Sequence, residues 1–184
     1  MDRTDEHLLE LAAEGDAACF GELIERWERR IFGFIYRYVG NREEAKDLTQ
    51  DTFTKAFRNL GRLTDRTRFS SWLYKIALNE CRMRFRRESR FPKVSWEQNR
   101  EELQKTTRDH WTPATTLENR EQVHLLREVI GLLPEEQKLV IIMKEYQGLK
   151  FHEISEILGI PLSTAKSRMY LGLKTIRKLM EEKT

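Results

Sequence analysis

Apolar residues recur at helical spacing along most of the chain, and no convincing strict alternation or Asn-Gly hairpin turn interrupts them. The pattern predicts an all-α protein. Leu8, Leu9, Leu11 and Ala12 mark a first short helix that ends near Gly15. Asp16 can cap a longer one carrying Phe20, Leu23, Ile24, Trp27, Ile31, Phe34, Ile35 and Tyr38, which Gly40 closes. Asn41 caps a third. There Ala45, Leu48, Thr52, Phe53, Ala56, Phe57 and Leu60 form the buried stripe, and Asp47, Gln50, Asp51, Thr54 and Arg58 the exposed one. A polar, basic loop runs from Gly61 to about Arg68. A fourth helix, from about Ser70, turns Trp72, Leu73, Ile76 and Ala77 inward, while the spacing leaves Tyr74 unassigned. The run Arg82-Met-Arg-Phe-Arg-Arg87 lies at its end, and Pro92 terminates a first domain.

From Val94 to about Leu117 the periodicity fades into Glu, Gln, Thr and Arg with Pro113, the composition of an extended linker in which Trp96 and Trp111 pack locally. Helical pattern resumes with Val123, Leu125, Leu126, Val129, Ile130 and Leu133. Pro134 suits the first residue of the next helix, whose buried side is Leu139, Val140, Ile141, Ile142 and Met143.

Phe151 to Tyr170 reads as a helix-turn-helix. Ile154, Ile157 and Leu158 give a short helix one apolar stripe, and Gly159 can end it in the left-handed conformation. Pro161 bars continuation, and Ser163 can cap a second helix. Ala165, Met169, Gly172, Leu173 and Ile176 recur on its inward face, leaving Thr164, Lys166, Ser167, Tyr170 and Lys174 outside. Short polar side chains with a cation near a helix N-terminus suit a DNA major groove and the phosphates on its rims. An ordinary helical hairpin with a solvated face would share the same spacing.

Composition narrows the choice. The 184 residues, 39% of them hydrophobic, allow two small domains with real cores, and no apolar run approaches the roughly 20 residues of a membrane span. The acidic start lacks the layout of a signal peptide, so a cytoplasmic location is expected. Cys19 and Cys81 form no CxxC; both are read as reduced thiols, Cys19 in a core, and neither is given a redox role. The net charge of +3 divides unevenly: about −4 over residues 1–61, +7 over 62–93, −3 over 94–146 and +3 over 147–184. One basic block covers the loop and fourth helix, the other the helix-turn-helix, which points to nucleic acid gripped at two places.

Four ordered stretches carry a family resemblance: Phe20-Gly-Glu-Leu-Ile24, Ala45-Lys-Asp-Leu-Thr-Gln-Asp-Thr-Phe53, Phe69-Ser-Ser-Trp-Leu-Tyr-Lys-Ile-Ala-Leu-Asn79, and Leu133-Pro-Glu-Glu-Gln137 followed by Ile160-Pro-Leu-Ser-Thr-Ala-Lys-Ser-Arg168. With them the chain resembles the small two-domain extracytoplasmic-function (ECF) sigma factors of the bacterial sigma-70 superfamily. The resemblance implies sigma region 2 over residues 1–93, a flexible linker over 94–118, and sigma region 4 over 119–184. It implies that Asp47, Gln50, Asp51 and Thr54 dock on the clamp-helix coiled coil of the β′ subunit of core RNA polymerase, with the β flap as a further contact. Asp47, Gln50 and Asp51 share a helical face in any case, because residues three and four apart are neighbours. The −10 promoter element would be read, and one unstacked base captured, by Arg66, Arg68, Asn79, Arg82 and Arg86. The −35 element would be read by Ser163, Thr164, Lys166, Ser167, Arg168, Tyr170 and Lys174, with Arg168 serving a phosphate or an intradomain carboxylate. Many relatives continue with Arg-Ala-Arg where this chain has Leu171-Gly172-Leu173, so fewer phosphate contacts and an altered −35 preference are expected. The family's usual control is an anti-sigma factor hiding both surfaces, and only through such a partner is membrane contact expected.

Enzymatic readings find little in the chain. It has no P-loop, no Gly-rich dinucleotide turn, and no Ser/His/Asp framework in order. His152-Glu153 begins a zinc-protease signature that fails at Glu156, where the second histidine belongs. No metal or cofactor is expected. Two other readings stay open: a free-standing regulator, whose N-terminal half should contain strands, and a helical adaptor without DNA contact, which predicts no salt-dependent DNA affinity.

Overall fold

The computed structural model describes residues 3–88 and 125–183, and the chain divides into two compact units. Every regular element among the described residues is helical. The expected linker with Trp96 and Trp111, and the domain end at Pro92, lie outside them.

The first unit holds α1 (Asp5–Ala13), α2 (Ala17–Val39), α3 (Arg42–Arg58), single 3₁₀ turns at Leu60–Arg62 and Arg66–Arg68, and α4 (Phe69–Glu88). Its boundaries follow from the caps. Asp16 Oδ1 accepts from the backbone N–H groups of Ala18 (3.0 Å) and Cys19 (3.3 Å), and Asn41 Oδ1 from that of Glu44 (2.9 Å). Gly40, at φ 85°, ends α2 in the left-handed region, so α2 and α3 meet across two residues and pack along each other. Leu23, Ile31, Phe34 and Ile35 of α2 are wholly buried, each contributing about 1.5–3 kcal/mol relative to exposure. On α3 the buried side includes Thr49 and Thr52, whose hydroxyls donate to Ala45 O and Leu48 O, both at 2.6 Å, so that neither hydroxyl is left unpaired in the core.

Two expected placements are corrected in this unit. Phe57 is 48% exposed: it lies roughly 100° round α3 from the centre of the buried stripe, at the rim rather than in the core. On α4 the buried stripe is turned by one residue from the expected one. Leu73, Tyr74, Ala77, Leu78 and Cys81 are inside, whereas Trp72 and Ile76 are only half-buried. Tyr74 meets Phe34 edge-on at 5.4 Å and Trp27 at 6.4 Å, which makes it the centre of the aromatic core. Trp72 leans on Phe69 at 6.1 Å.

The second unit holds α5 (residues 125–131), α6 (Glu135–Ile141) running into one π-helical turn (Ile142–Tyr146), α7 (Phe151–Leu158) and α8 (Leu162–Lys183). Pro134 stands just before α6 as its extended cap, one residue earlier than expected. Buried Leu139, Val140 and Ile141 carry α6 against α8. Gly172 makes that approach possible, since a Cβ there would sit 2.6 Å from Ile141 Cδ1 and 3.3 Å from Gln137 Cβ. Arg168 then pairs with Glu136 at 2.8 Å, and the Thr175 hydroxyl donates to Gln137 Oε1 at 3.2 Å, fixing how α8 is rotated.

Candidate functional site

Three exposed surfaces collect the residues that the sequence singles out. The first is the outer side of α3. Asp47, Gln50, Asp51 and Thr54 are all exposed on consecutive turns. Lys55, one turn beyond Asp51, does not neutralise it, because its ammonium is held at 2.5 Å by Glu80 of α4. The face therefore stays acidic. Beside it, between α2 and α3, runs an apolar groove of about 820 Å³ lined by Phe20, Ile24, Phe32, Phe53 and Phe57, with Gln50 and Thr54 on its edge. Phe57 tilts over Phe20 at 5.0 Å. Sequence reasoning missed this groove by assigning Phe57 to the core; its angular offset from the stripe was the signal.

The second surface is basic. Asn79, Arg82 and Arg86 lie three and four residues apart on the side of α4 opposite the core, with exposed Lys75 one turn before them. Arg84 points elsewhere: its Nε is 3.7 Å from Glu44 Oε1, tying α4 to α3. Arg66 and Arg68 lie on the 3₁₀ turn that enters α4, so about 15 Å of helix rise separates its start from Asn79. Asp65 builds that turn by accepting the Thr67 backbone N–H (3.1 Å) and hydroxyl (2.6 Å), and the hydroxyl bond holds its carboxyl below the usual aspartate range. Arg68 is exposed and 3.3 Å from Asp65, while Arg66 is half-buried with its Nε covered.

The third surface belongs to the helix-turn-helix. Gly159 is left-handed at φ 64°, and the turn is closed twice by Ser155, whose carbonyl accepts the Ile160 N–H (3.1 Å) and whose hydroxyl donates to Ile160 O (2.5 Å). The expected cap role of Ser163 is corrected: α8 already starts at Leu162, so Ser163 is exposed in its first turn. Lys166, Ser167, Tyr170 and Lys174 are also exposed, with Tyr170 at 69%, and Thr164 is half-buried. Arg168 faces Glu136, the intradomain carboxylate of the two expected partners. Leu173, expected inside, is 48% exposed, as is Leu171.

Both cysteines are free and buried. Burial pushes the Cys81 thiol up to about 12, helped by the nearby Glu44 carboxylate. Burial also raises Cys19, and its Sγ donates to Asp16 Oδ2 at 3.2 Å. The reactive thiolate is thus suppressed. In native protein at pH 7–8, Cys81 should resist a maleimide reagent that labels both cysteines at once after denaturation; fast native labelling of Cys81 would contradict its burial.

Comparison with known proteins gives consistent relatives. The sigma-70 region 2 family matches residues 23–91, and the sigma-70 region 4 family matches residues 124–176. The ECF RNA polymerase sigma-E factor of Haemophilus influenzae is 29% identical over 184 residues, covering 98% of this chain and 95% of its own. The ECF RNA polymerase sigma factor SigW of Bacillus subtilis is 28% identical, covering 92% of each. In fold, CnrH, solved with the cytosolic domain of CnrY, superposes with a TM-score of 0.71 at 23% identity over 98% of this chain and 99% of that one. The sigma factor RpoE of Bartonella quintana, solved with the anti-sigma factor NepR, gives a TM-score of 0.68 at 18% identity over 88% and 96%.

Proposed function

We propose, for a chain that belongs to the ECF group of the sigma-70 family, the role of a promoter-specificity subunit that binds core RNA polymerase and brings it to promoters without chemistry of its own. In this reading residues 1–93 dock on core and engage the −10 element, residues 119–184 engage the −35 element, and 94–118 link them. Asp47, Gln50, Asp51 and Thr54 meet basic side chains of the β′ clamp helices, and the adjoining groove takes apolar side chains. Arg66, Arg68, Asn79, Arg82 and Arg86 follow the −10 strand, cations on phosphates and the Asn79 amide on a base edge. On the −35 duplex α8 offers Lys166, Ser167, Tyr170 and Lys174. Arg168, engaged by Glu136, orients α8 instead of reading a base.

The observation that carries the reading is the pairing, on one chain, of an acidic face on α3 with two basic faces on α4 and α8. Each DNA surface alone is modest. Held by core at promoter spacing, the second contact becomes intramolecular, and effective concentration makes the pair selective. An anti-sigma factor covering the α3 face and α8 would silence both functions, and the exposed apolar groove suits such a partner. A free-standing regulator would need strands in its N-terminal half, and the described residues there form helices only.

The direct test is transcription in vitro with core polymerase and a genomic promoter library. Promoter-dependent initiation above core alone is expected. Its absence, with core binding intact, would refute the assignment.

A further inference from the structure

We propose that Asp5, at the start of α1, is a positioning residue for promoter opening: it braces, through Trp27, the turn that carries Arg66 and Arg68. The proposal rests on the reading of that turn as part of the −10 site. Asp5 uses both carboxylate oxygens across the α1–α2 contact. Oδ2 accepts the Trp27 indole N–H at 2.7 Å, and Oδ1 accepts Arg26 Nη1 at 3.0 Å. Arg26 also donates from Nη1 to Arg3 O at 2.6 Å and from Nη2 to Glu22 Oε1 at 2.5 Å, which ties the Arg3 backbone to α2.

The Trp27 ring, 9% exposed, passes this order inward. Its plane stands at 88° to Phe69 with ring centroids 5.6 Å apart. Phe69, 2% exposed, is the residue whose backbone N–H closes the Arg66–Arg68 turn on Arg66 O. Besides this route, α1 packs directly against both 3₁₀ turns. The loop has few buried side chains of its own, Leu63 being one, so its order depends on the wall behind it. Loss of the Asp5 carboxylate would leave the Trp27 N–H without its acceptor and loosen the first turn of α1 against that wall, while buried Leu8, Leu9 and Ala12 keep the helix in place.

The test combines limited trypsin digestion of the intact native protein with promoter opening by the reconstituted holoenzyme. For Asp5→Ala, cleavage at Arg66 and Arg68 should rise about tenfold, the scale on which one orphaned buried donor shifts a local opening equilibrium. Promoter opening should fall by a similar factor with core affinity unchanged. Asp5→Asn keeps an acceptor for Trp27 but drops the Arg26 ion pair, so it should lie between parent and Asp5→Ala; it also serves if Asp5→Ala folds poorly. Trp27→Phe keeps a ring against Phe69 and removes the donor. Combined with Asp5→Ala it should therefore raise cleavage by less than the product of the two single effects. Parental cleavage in both Asp5 variants overturns the proposal. So does faster cleavage with parental promoter opening, provided that Arg68→Ala impairs opening. If Arg66→Ala and Arg68→Ala also leave opening unchanged, the −10 assignment of the turn fails, and the proposal with it.

Discussion

Asp51→Arg should abolish binding to core polymerase while leaving the fold as stable as before or slightly more so. The two halves have separate causes. Asp51 is exposed in the middle of α3, and the one cation a turn away, Lys55, is committed to Glu80. Reversing the charge breaks no ion pair among the described residues, and Arg is a good helix former. Asp47 lies one turn before Asp51, a like-charge pair at i,i+4 that costs a few tenths of a kcal/mol, and the substitution turns it into an attractive pair. Against a basic partner the effect is opposite. An attractive contact becomes repulsive, and like-charge juxtaposition at an interface costs several kcal/mol, or at least about 100-fold in affinity. Titration of labelled core, beside urea unfolding of the free protein, separates the two. A variant that binds core normally would show that this face of α3 is not the docking surface, and one that unfolds early would show that the face is structural.

That α3 carries this face, and which residues lie on it, was legible in the sequence because a 3.6-residue repeat places side chains on a straight helix with little ambiguity. Legibility ended where a side chain sits near the boundary of a stripe. Phe57 and Leu173 each lie a quarter-turn or so off the centre of theirs, and hydrophobicity alone assigned both inward; the packed helices leave both about half exposed. On α4 the choice between Trp72 and Tyr74 depended on phase. Leu78 and Cys81 continue the series from Tyr74 and Ala77 with apolar residues, whereas the series from Trp72 and Ile76 runs on to Glu80, a carboxylate that is buried against the Lys55 ammonium. Cap chemistry was readable at Asp16, Asn41, Gly40 and Gly159, where one residue type serves one backbone need. The helix-turn-helix turn was harder. Ser163 has the right chemistry for a cap, but Ser155, on the preceding helix, holds the turn, and a bond reaching five residues forward leaves no mark in local propensity. The groove and the Asp5 brace are tertiary, formed by residues far apart in sequence.

Arg at both Leu171 and Leu173 should raise affinity for −35 duplex DNA and steepen its salt dependence. On α8 the outward residues Ser163, Lys166, Ser167, Tyr170 and Lys174 centre near Tyr170, and positions 171 and 173 fall roughly 80° to either side of that line. Side chains so placed flank a helix seated in a major groove and reach toward the phosphates of the two strands. Each leucine is 48% exposed, so replacing it removes little from the core, and Gly172 between them keeps its close approach to Ile141. Two added phosphate contacts should steepen the slope of log K against log salt by about 1.8, so that lowering salt from about 200 to 50 mM favours the double variant roughly tenfold more than the parent. Because phosphates carry no sequence information, the gain should be nearly equal on matched and mismatched −35 sites, and selectivity should not improve. Fluorescence anisotropy of the full-length protein at several salt concentrations measures both quantities. An unchanged slope would mean that positions 171 and 173 do not face phosphate, and that α8 meets DNA in another orientation. An affinity gain confined to the cognate site, with the slope unchanged, would mean that the two flanks read base edges instead of phosphates.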